Sequence, residues 1–282
     1  MLQWPKQFLK RVLGMIGYHM GLHEIASEIE RLHETVRKIQ YQTMVAPDGL
    51  PVPPAEFDFL VSARRDLDAF QFLELGRDHA AEIISTLSRN GIEIDKLEAI
   101  LEFGCGCGRI TRVFHFLKKA KVYGTDYNRR LIDWCRQCLP FAEFETNELS
   151  PPLVYRDAQF DFIYAYSVFT HLTESLQHRW LAELSRVLKP GGHLFLTTMG
   201  AAFAQEHLPP QAKEQFAAGQ LVVMDAELAG ENACCAFHPY LYVKETLAKR
   251  FELQDFQPGA VVDRSRSLIG IGQDRYFLRK PD

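Results

Sequence analysis

At 282 residues, 47% apolar and 24% charged, the chain has the make-up of one large soluble domain, or a domain with an appendage, and can bury a sizeable core. A formal net charge of −4 argues against a surface built to neutralise phosphate backbones, so no nucleic-acid partner is expected. Six cysteines are too few for a disulfide scaffold, and no stretch is long enough to span a bilayer, so a cytoplasmic location is expected.

Along the chain, residues 1–45 come first. Met15, Tyr18, Leu22, Ile25, Ile29, Leu32, Val36 and Ile39 follow alternating steps of three and four, with the charged residues off the seam. This reads as a coiled-coil helix that would make the protein a homo-oligomer, the alternative being a helix packed along the protein's own surface. Trp4, Phe8, Leu9 and Val12 among three basic residues also allow peripheral contact with an inner-membrane surface. The glycine-broken apolar run "VLGMIGYHMGL" has no small-residue cleavage site after it and does not read as a signal peptide.

A proline-rich linker, "APDGLPVPP", follows, and residues 46–97 are expected to be this linker and a helical cap. Residues 57–92 look helical and end on Gly91. From residue 98 to the C-terminus, strand and helix signals alternate. "LEAILEF", "KVYGTD", "AEFET", "FDFIYAYS" and "HLFLTT" read as strands. "RITRVFHFLKKA", "NRRLIDWCRQCL", "TESLQHRWLAELSRVL" and "VKETLAKRF" read as helices, and "FELQDF" and "DRYFLRK" can close the sheet. Such alternation implies an α/β fold with a doubly wound parallel sheet.

The stretch "FGCGCGRI" lies between the first of these strands and a helix signal, in the pattern acid-x-Gly-x-Gly-x-Gly: Glu102, Gly104, Gly106, Gly108. Glycines there let backbone amides approach a ligand. A dinucleotide fingerprint needs glycine at 109, where the chain has Arg109, and the Gly-Lys-Ser/Thr of a phosphate loop is absent. Asp126 ends the next strand, 18 residues after Gly108, where a carboxylate can accept both hydroxyl protons of a ribose; capping the following helix is its structural alternative. Cys105, Cys107, Cys135 and Cys138 offer a competing zinc reading. However, Cys135 and Cys138 fall among the apolar positions of a helix and Cys105 and Cys107 among the loop glycines, so no metal is expected.

With "ILEFGCGCGRI", "VYGTDYN", "FDFIYAYSVFTHL" and "LSRVLKPGGHLFLTT" in this order over residues 98–199, the chain resembles the class I S-adenosylmethionine-dependent methyltransferases, in a flavour similar to bacterial enzymes of the type 11, 12 and 25 kinds. The resemblance implies a Rossmann-like, seven-stranded, mostly parallel sheet, S-adenosyl-L-methionine as cofactor and S-adenosyl-L-homocysteine as product. It also implies roles for particular residues. Gly104, Gly106 and Gly108 would admit the cofactor's amino-acid moiety, and Glu102 would fix the loop through its amides. Asp126 would bind the ribose and Tyr127 flank the adenine. Asn147 would read the adenine amine, with Glu148 and Leu149 beside it, and Tyr166 and Ser167 would border the methionine part. Arg77 is a candidate for the cofactor carboxylate, a surface salt bridge being its alternative.

For a hydroxyl acceptor a histidine base is the natural choice. His171, just past the fourth strand, and His238, before the last helix, are the candidates; His79, His115 and His178 fall in helices and read as structural or exposed. Residues 200–242 match no part of the shared core and carry several aromatics, so they are expected to form a lid over the acceptor. The function expected is methyl transfer, O-directed, to a small molecule or glycan. The alternatives are a nucleic-acid methyltransferase, whose Asn/Asp-Pro-Pro-aromatic signature is missing after the fourth strand, and a cofactor-binding oligomeric scaffold without chemistry.

Overall fold

The computed structural model describes residues 45–62, 67–260 and 272–282, with Glu24, Ser27, Glu28 and Arg31. Apart from Val45 and those four helical residues, the coiled coil expected over 1–45 lies outside the described residues.

After the linker, helix α1 (Ala55–Ser62) precedes α2 (Ala69–Arg89). Helix α2 starts at a capping box, in which the Asp68 carboxylate accepts from the Gln71 amide (2.9 Å) and the Gln71 side chain accepts from the Asp68 amide (3.0 Å). Its Phe72, Gly76, His79, Ala80, Ile83 and Leu87 recur at helical spacing and are buried. The strands are β1 (Ala99–Phe103), β2 (Lys121–Asp126), β3 (Ala142–Thr146), β4 (Phe160–Ala165) and β5 (Leu188–Thr198), interleaved with α3 (Arg129–Cys138) and α4 (Glu174–Val187).

The sheet order is β3-β2-β1-β4-β5-β9-β8, where β8 is Glu252–Gln257 and β9 is Asp274–Arg279. Strands β1 to β5 are parallel; β9 enters antiparallel between β5 and β8. Alternate residues of the central strands feed two apolar layers, Leu101, Phe103 and Ile163 on one face, Ile100, Phe162 and Tyr164 on the other. Burial on both faces is why these strands read as near-continuous apolar runs. The chain winds outward from β1 to β3, then returns to β4 on the other side of β1, which opens a crevice at the carboxyl ends of β1 and β4.

Two helices anticipated from the sequence are shorter turns. Residues 109–120 contain only a 3₁₀ turn, Thr111–Phe116. Ile110, Thr111 and Val113 are β-branched and disfavour helix, and the buried Arg112 is held elsewhere. Its guanidinium donates to the Asp48 carboxylate (2.8 and 2.9 Å) and to the carbonyls of Pro51 (2.9 Å) and Leu50 (3.2 Å), clamping the linker to the sheet. Likewise residues 243–251 hold a single π-turn, Val243–Leu247, in which the Ala248 amide donates to the Val243 carbonyl (2.7 Å).

Residues 200–242, expected to form a lid, are ordered more than their polar sequence suggests. It forms α5 (Ala201–His207), α6 (Pro210–Ala217) and a hairpin of β6 (Val222–Met224) with β7 (Cys235–Phe237), packed around Ala204, Leu208, Val222 and Phe237. Among the described residues no helix is long and apolar enough to cross a membrane.

Candidate active site

A cleft of about 490 Å³ opens at the crevice between β1 and β4, a volume ordinary for a small-molecule site. Its floor is the turn after β1. Gly104 and Gly106 have φ of +76° and +55°; a side chain at Gly104 would also meet the Val168 Cγ2 methyl at 2.3 Å. The Gly104 and Cys105 amides donate to the Thr125 carbonyl (2.8 and 3.0 Å), tying the turn to β2. Gly108 does not line the cleft: its missing side chain makes room for Leu139 in the core beneath.

Glu102 is buried at the base of this turn, where its Oε2 accepts from the hydroxyls of Tyr164 (3.0 Å) and Thr111. Burial pushes its carboxyl up to about 7, against the pull of those hydrogen bonds. The loop is thus fixed through the Thr111 hydroxyl, while the Gly106 amide goes to Asp126. Asp126 Oδ2 accepts from that amide (2.9 Å) and Oδ1 from the Asn128 amide (2.8 Å). Burial raises the Asp126 carboxyl above its usual range, the two amides opposing. Asn128, not Asp126, caps α3.

Next to Asp126 the cleft is walled by Tyr127, Asn147 and Leu149. Asn147 Oδ1 accepts from the Thr125 hydroxyl (2.7 Å) and its Nδ2 donates to the Glu148 carbonyl (2.7 Å). The Leu149 carbonyl accepts from the Trp180 indole (3.0 Å), which sets the height of this wall. Glu148 itself is not part of the lining.

At the other end lie Tyr166, Ser167 and His171. The Tyr166 hydroxyl donates to Glu82 Oε2 (2.9 Å) and its ring stacks on His79 at 3.8 Å. Ser167 sits at φ +59°, a left-handed conformation costing a non-glycine residue about 1–3 kcal/mol. It is held there by its amide to the Thr197 hydroxyl (2.8 Å) and by the Gln273 amide donating to its Oγ (2.8 Å). His171 Nδ1 is 2.8 Å from the Cys234 carbonyl. A carbonyl only accepts, so Nδ1 carries the proton and Nε2 keeps a free lone pair. Burial lowers the His171 pKa, the Cys234 carbonyl opposing, so the ring is neutral at pH 7.

His238 is not in the cleft. It is fully buried, its Nε2 against Gln177 Oε1 (2.9 Å), and burial drives its pKa down to about 3; no acceptor can reach it as a base. Arg77 is exposed and paired with Glu74 on its own helix, the surface alternative. Cys105 and Cys135 both set their thiols against the Gly106 carbonyl (3.7 and 3.5 Å), and burial raises the Cys105 and Cys107 thiols well above the usual range. Among the described residues no cluster of three or more His, Cys, Asp or Glu could hold a metal.

Sequence reasoning missed other parts of the lining. Leu60 and Val61 come from α1, Gly230 to Ala233 from the connection between β6 and β7, and Arg109 from the turn itself. The segment between β6 and β7 is anchored here by the Gly230 amide to the His171 carbonyl (2.7 Å) and by Asn232 Nδ2 to the Leu60 carbonyl (3.0 Å). Arg109's one signal was its place directly after the last loop glycine.

Residues 101–196 match the family model of a methyltransferase domain. The chain is 34% identical over 125 residues to a tRNA N(3)-methylcytidine methyltransferase of Schizosaccharomyces pombe, covering 40% of this chain and 49% of the relative. It is 32% identical over 136 residues to phthiotriol/phenolphthiotriol dimycocerosates methyltransferase 1 of Mycobacterium ulcerans, covering 45% of each. The chain thus matches about half the length of these curated relatives. Its fold is similar to that of the 1,6-didemethyltoxoflavin-N1-methyltransferase of Burkholderia thailandensis, solved with 1,6-didemethyltoxoflavin and S-adenosylhomocysteine. That likeness has a TM-score of 0.51 and 18% identity, covering 73% of this chain and 78% of that one.

Proposed function

We propose that the protein, whose residues 101–196 match a methyltransferase domain, uses S-adenosylmethionine as the class I superfamily does to methylate a hydroxyl of a small-molecule or glycan acceptor. The observation that carries the reading is one cleft with an acceptor-only carboxylate, Asp126, towards one end and a neutral imidazole with a free lone pair, His171, at the other.

The residues fit S-adenosylmethionine. Asp126 spends one lone pair of each oxygen on an amide and keeps the others for two ribose hydroxyls. Tyr127 and Leu149 offer faces for the adenine, and Asn147 retains one N–H and one lone pair for its edge. When bound, the cofactor supplies a sulfonium methyl that is already activated. The chain's part is then alignment, which can account for roughly 7–11 kcal/mol of a barrier, and removal of the acceptor's hydroxyl proton. His171 Nε2 takes that proton, and the Cys234 carbonyl stabilises the imidazolium through Nδ1–H.

An RNA acceptor is the second reading, favoured by the Schizosaccharomyces pombe relative. The net charge of −4 and a lining that includes Leu60, Tyr127, Leu149 and Glu231 favour an uncharged acceptor.

Titration calorimetry with S-adenosylhomocysteine tests the cofactor site: micromolar binding is expected, weakened on the order of tenfold to a hundredfold in Asp126→Asn. Full affinity in that variant removes the ribose assignment, and no binding to the unaltered protein removes the function. Transfer of a labelled methyl to sugar, lipid-linked and phenolic hydroxyls then separates an enzyme from a scaffold.

A further inference from the structure

The tautomer of His171 is set by a carbonyl 63 residues further along the chain. A neutral imidazole can carry its proton on either nitrogen. The turn that bears the ring, Phe169–His171, engages its backbone, the His171 amide donating to the Val168 carbonyl (3.0 Å). The choice of Nδ1 is made by the Cys234 carbonyl, and so by whatever fixes the connection between β6 and β7. That connection has no core of its own, since none of residues 225–233 is buried. Hydrogen bonds hold it instead. At one end the Gly230 amide donates to the His171 carbonyl (2.7 Å). Residues 231–234 then form a turn closed by the Cys234 amide on the Glu231 carbonyl (3.1 Å), with Asn232 at its second position. From there Asn232 Nδ2 donates to the Leu60 carbonyl (3.0 Å). Leu60 lies in the last turn of α1, whose carbonyls have no partner within the helix, so the asparagine supplies what the helix end lacks. Helix α1 in turn rests on the glycine turn: a side chain at Gly106 would meet Val61 Cγ2 at 2.8 Å, and Leu60 and Val61 line the cleft. One asparagine thus joins the cover of the glycine turn to the support of the histidine.

We propose that Asn232 is a positioning residue: by fastening the 231–234 turn to α1 it keeps the Cys234 carbonyl on His171 Nδ1, so that Nε2 offers its lone pair only while α1 rests on the glycine turn. This rests on the reading of His171 as the base and deepens it. With the fastener gone, the turn is free to swing away from the ring and the imidazole divides between its two tautomers. Part of the protein then presents Nε2–H, which cannot take the acceptor's proton. The same loss loosens α1, so a ligand seated beneath it leaves sooner.

The test reads the ring-nitrogen NMR shifts of His171, which separate a protonated from a bare nitrogen, in the full chain at neutral pH with and without S-adenosylhomocysteine. Signals are assigned by their loss in His171→Ala, and dissociation of S-adenosylhomocysteine is followed by stopped flow. The parent should show Nδ1 protonated and Nε2 bare. Asn232→Asp has the same shape but no N–H to donate. It should draw the two shifts together and speed dissociation roughly two- to tenfold, the range for losing one neutral hydrogen bond. Asn232→Ala should behave alike, which separates the lost donor from the added charge, and Asn232→Gln, with an amide donor restored, should recover part of both effects. Because residues 225–233 are not buried, all three variants should melt within about 3 °C of the parent. Faster dissociation with the tautomer unchanged leaves Asn232 a fastener of α1 alone and overturns the proposal. So does a tautomer lost only in variants that melt far below the parent. If the parent itself carries the proton on Nε2, the reading of His171 as the base falls first and takes the proposal with it. If the parent binds no S-adenosylhomocysteine, the methyltransferase reading falls, and the proposal with that.

Discussion

The histidine at the cleft mouth makes the most demanding claim about a single residue. Nδ1 of His171 is committed to the Cys234 carbonyl, so only Nε2 can accept a proton, and burial keeps the ring neutral. His171→Ala should lower kcat about 10²- to 10⁴-fold, the range for removing a general base, with S-adenosylhomocysteine affinity changed less than about threefold. The sign with pH follows from the lowered pKa. A base works unprotonated, so the rate should be level through pH 7 and fall only on the acid side of 6.5, with that acid limb absent from the residual rate of His171→Ala. An acid limb that persists in the variant belongs to another group and ends His171's role. Such residues were legible because strand-tip positions follow from the alternation of strands and helices: Asp126 ends β2, and His171 closes the short turn after β4. Whether a polar side chain is paired is decided by partners distant in the chain. That is why His238, sealed behind Gln177, looked like His171's rival as the base, and why Arg77, paired with Glu74 on its own helix, drew attention that the buried and unpartnered Arg109 did not.

Among the elements, α2 decides the shape of the cleft's inner end, and it does so through a glycine. At Gly76 an added Cβ would lie 2.4 Å from the Arg109 carbonyl oxygen and 2.7 Å from its Cγ, so α2 packs with no space to spare on the turn after the glycine loop. Two effects oppose in Gly76→Ala. Helix propensity favours alanine by about 1 kcal/mol, while overpacking a close contact with backbone costs about 1–3 kcal/mol. Because the obstructing atom is backbone of a turn pinned to β1 and β2, the clash should win. Urea unfolding should show a net loss, and S-adenosylhomocysteine should bind more weakly as Arg109 shifts. A gain in stability would mean that α2 can withdraw, and that its distance from the turn is not set by this contact. The sheet, the glycine turn and α2 were legible because both-face burial and a regular apolar stripe leave periods of two and 3.6 in the chain. The 3₁₀ turn at Thr111–Phe116 was not: its residues are apolar at helical spacing, yet β-branching and the tether from Arg112 to Asp48 hold it short. Nor was the β6–β7 hairpin, whose strands are three residues each.

Over the whole molecule, the reversal of strand order beside β1 creates the crevice and also buries titratable groups next to it, so the site leaves a mark on global stability. Glu102 and His238 are both almost wholly buried, with pKa values moved to about 7 and about 3 from ordinary values of 4.5 and 6.5. The folded form holds the Glu102 proton at pH values where the unfolded chain has released it. Its contribution is therefore present below about 4.5 and lost as pH rises to about 7, on the order of 3 kcal/mol over the full range. His238 acts the other way, because the folded form refuses a proton that the unfolded chain takes up below 6.5, so stability is lost as pH falls from there towards 3. Between 4.5 and 6.5 the contributions of these two groups oppose and largely cancel. Glu102→Gln keeps an acceptor for the Tyr164 and Thr111 hydroxyls and removes one half of the balance. Its melting temperature should rise relative to the parent's as pH goes from 5 to 7.5, the difference between the two being Glu102's own contribution. If the two proteins run parallel across that range, Glu102 is ionised in the folded state throughout. Arg109 would then face a full negative charge across the turn.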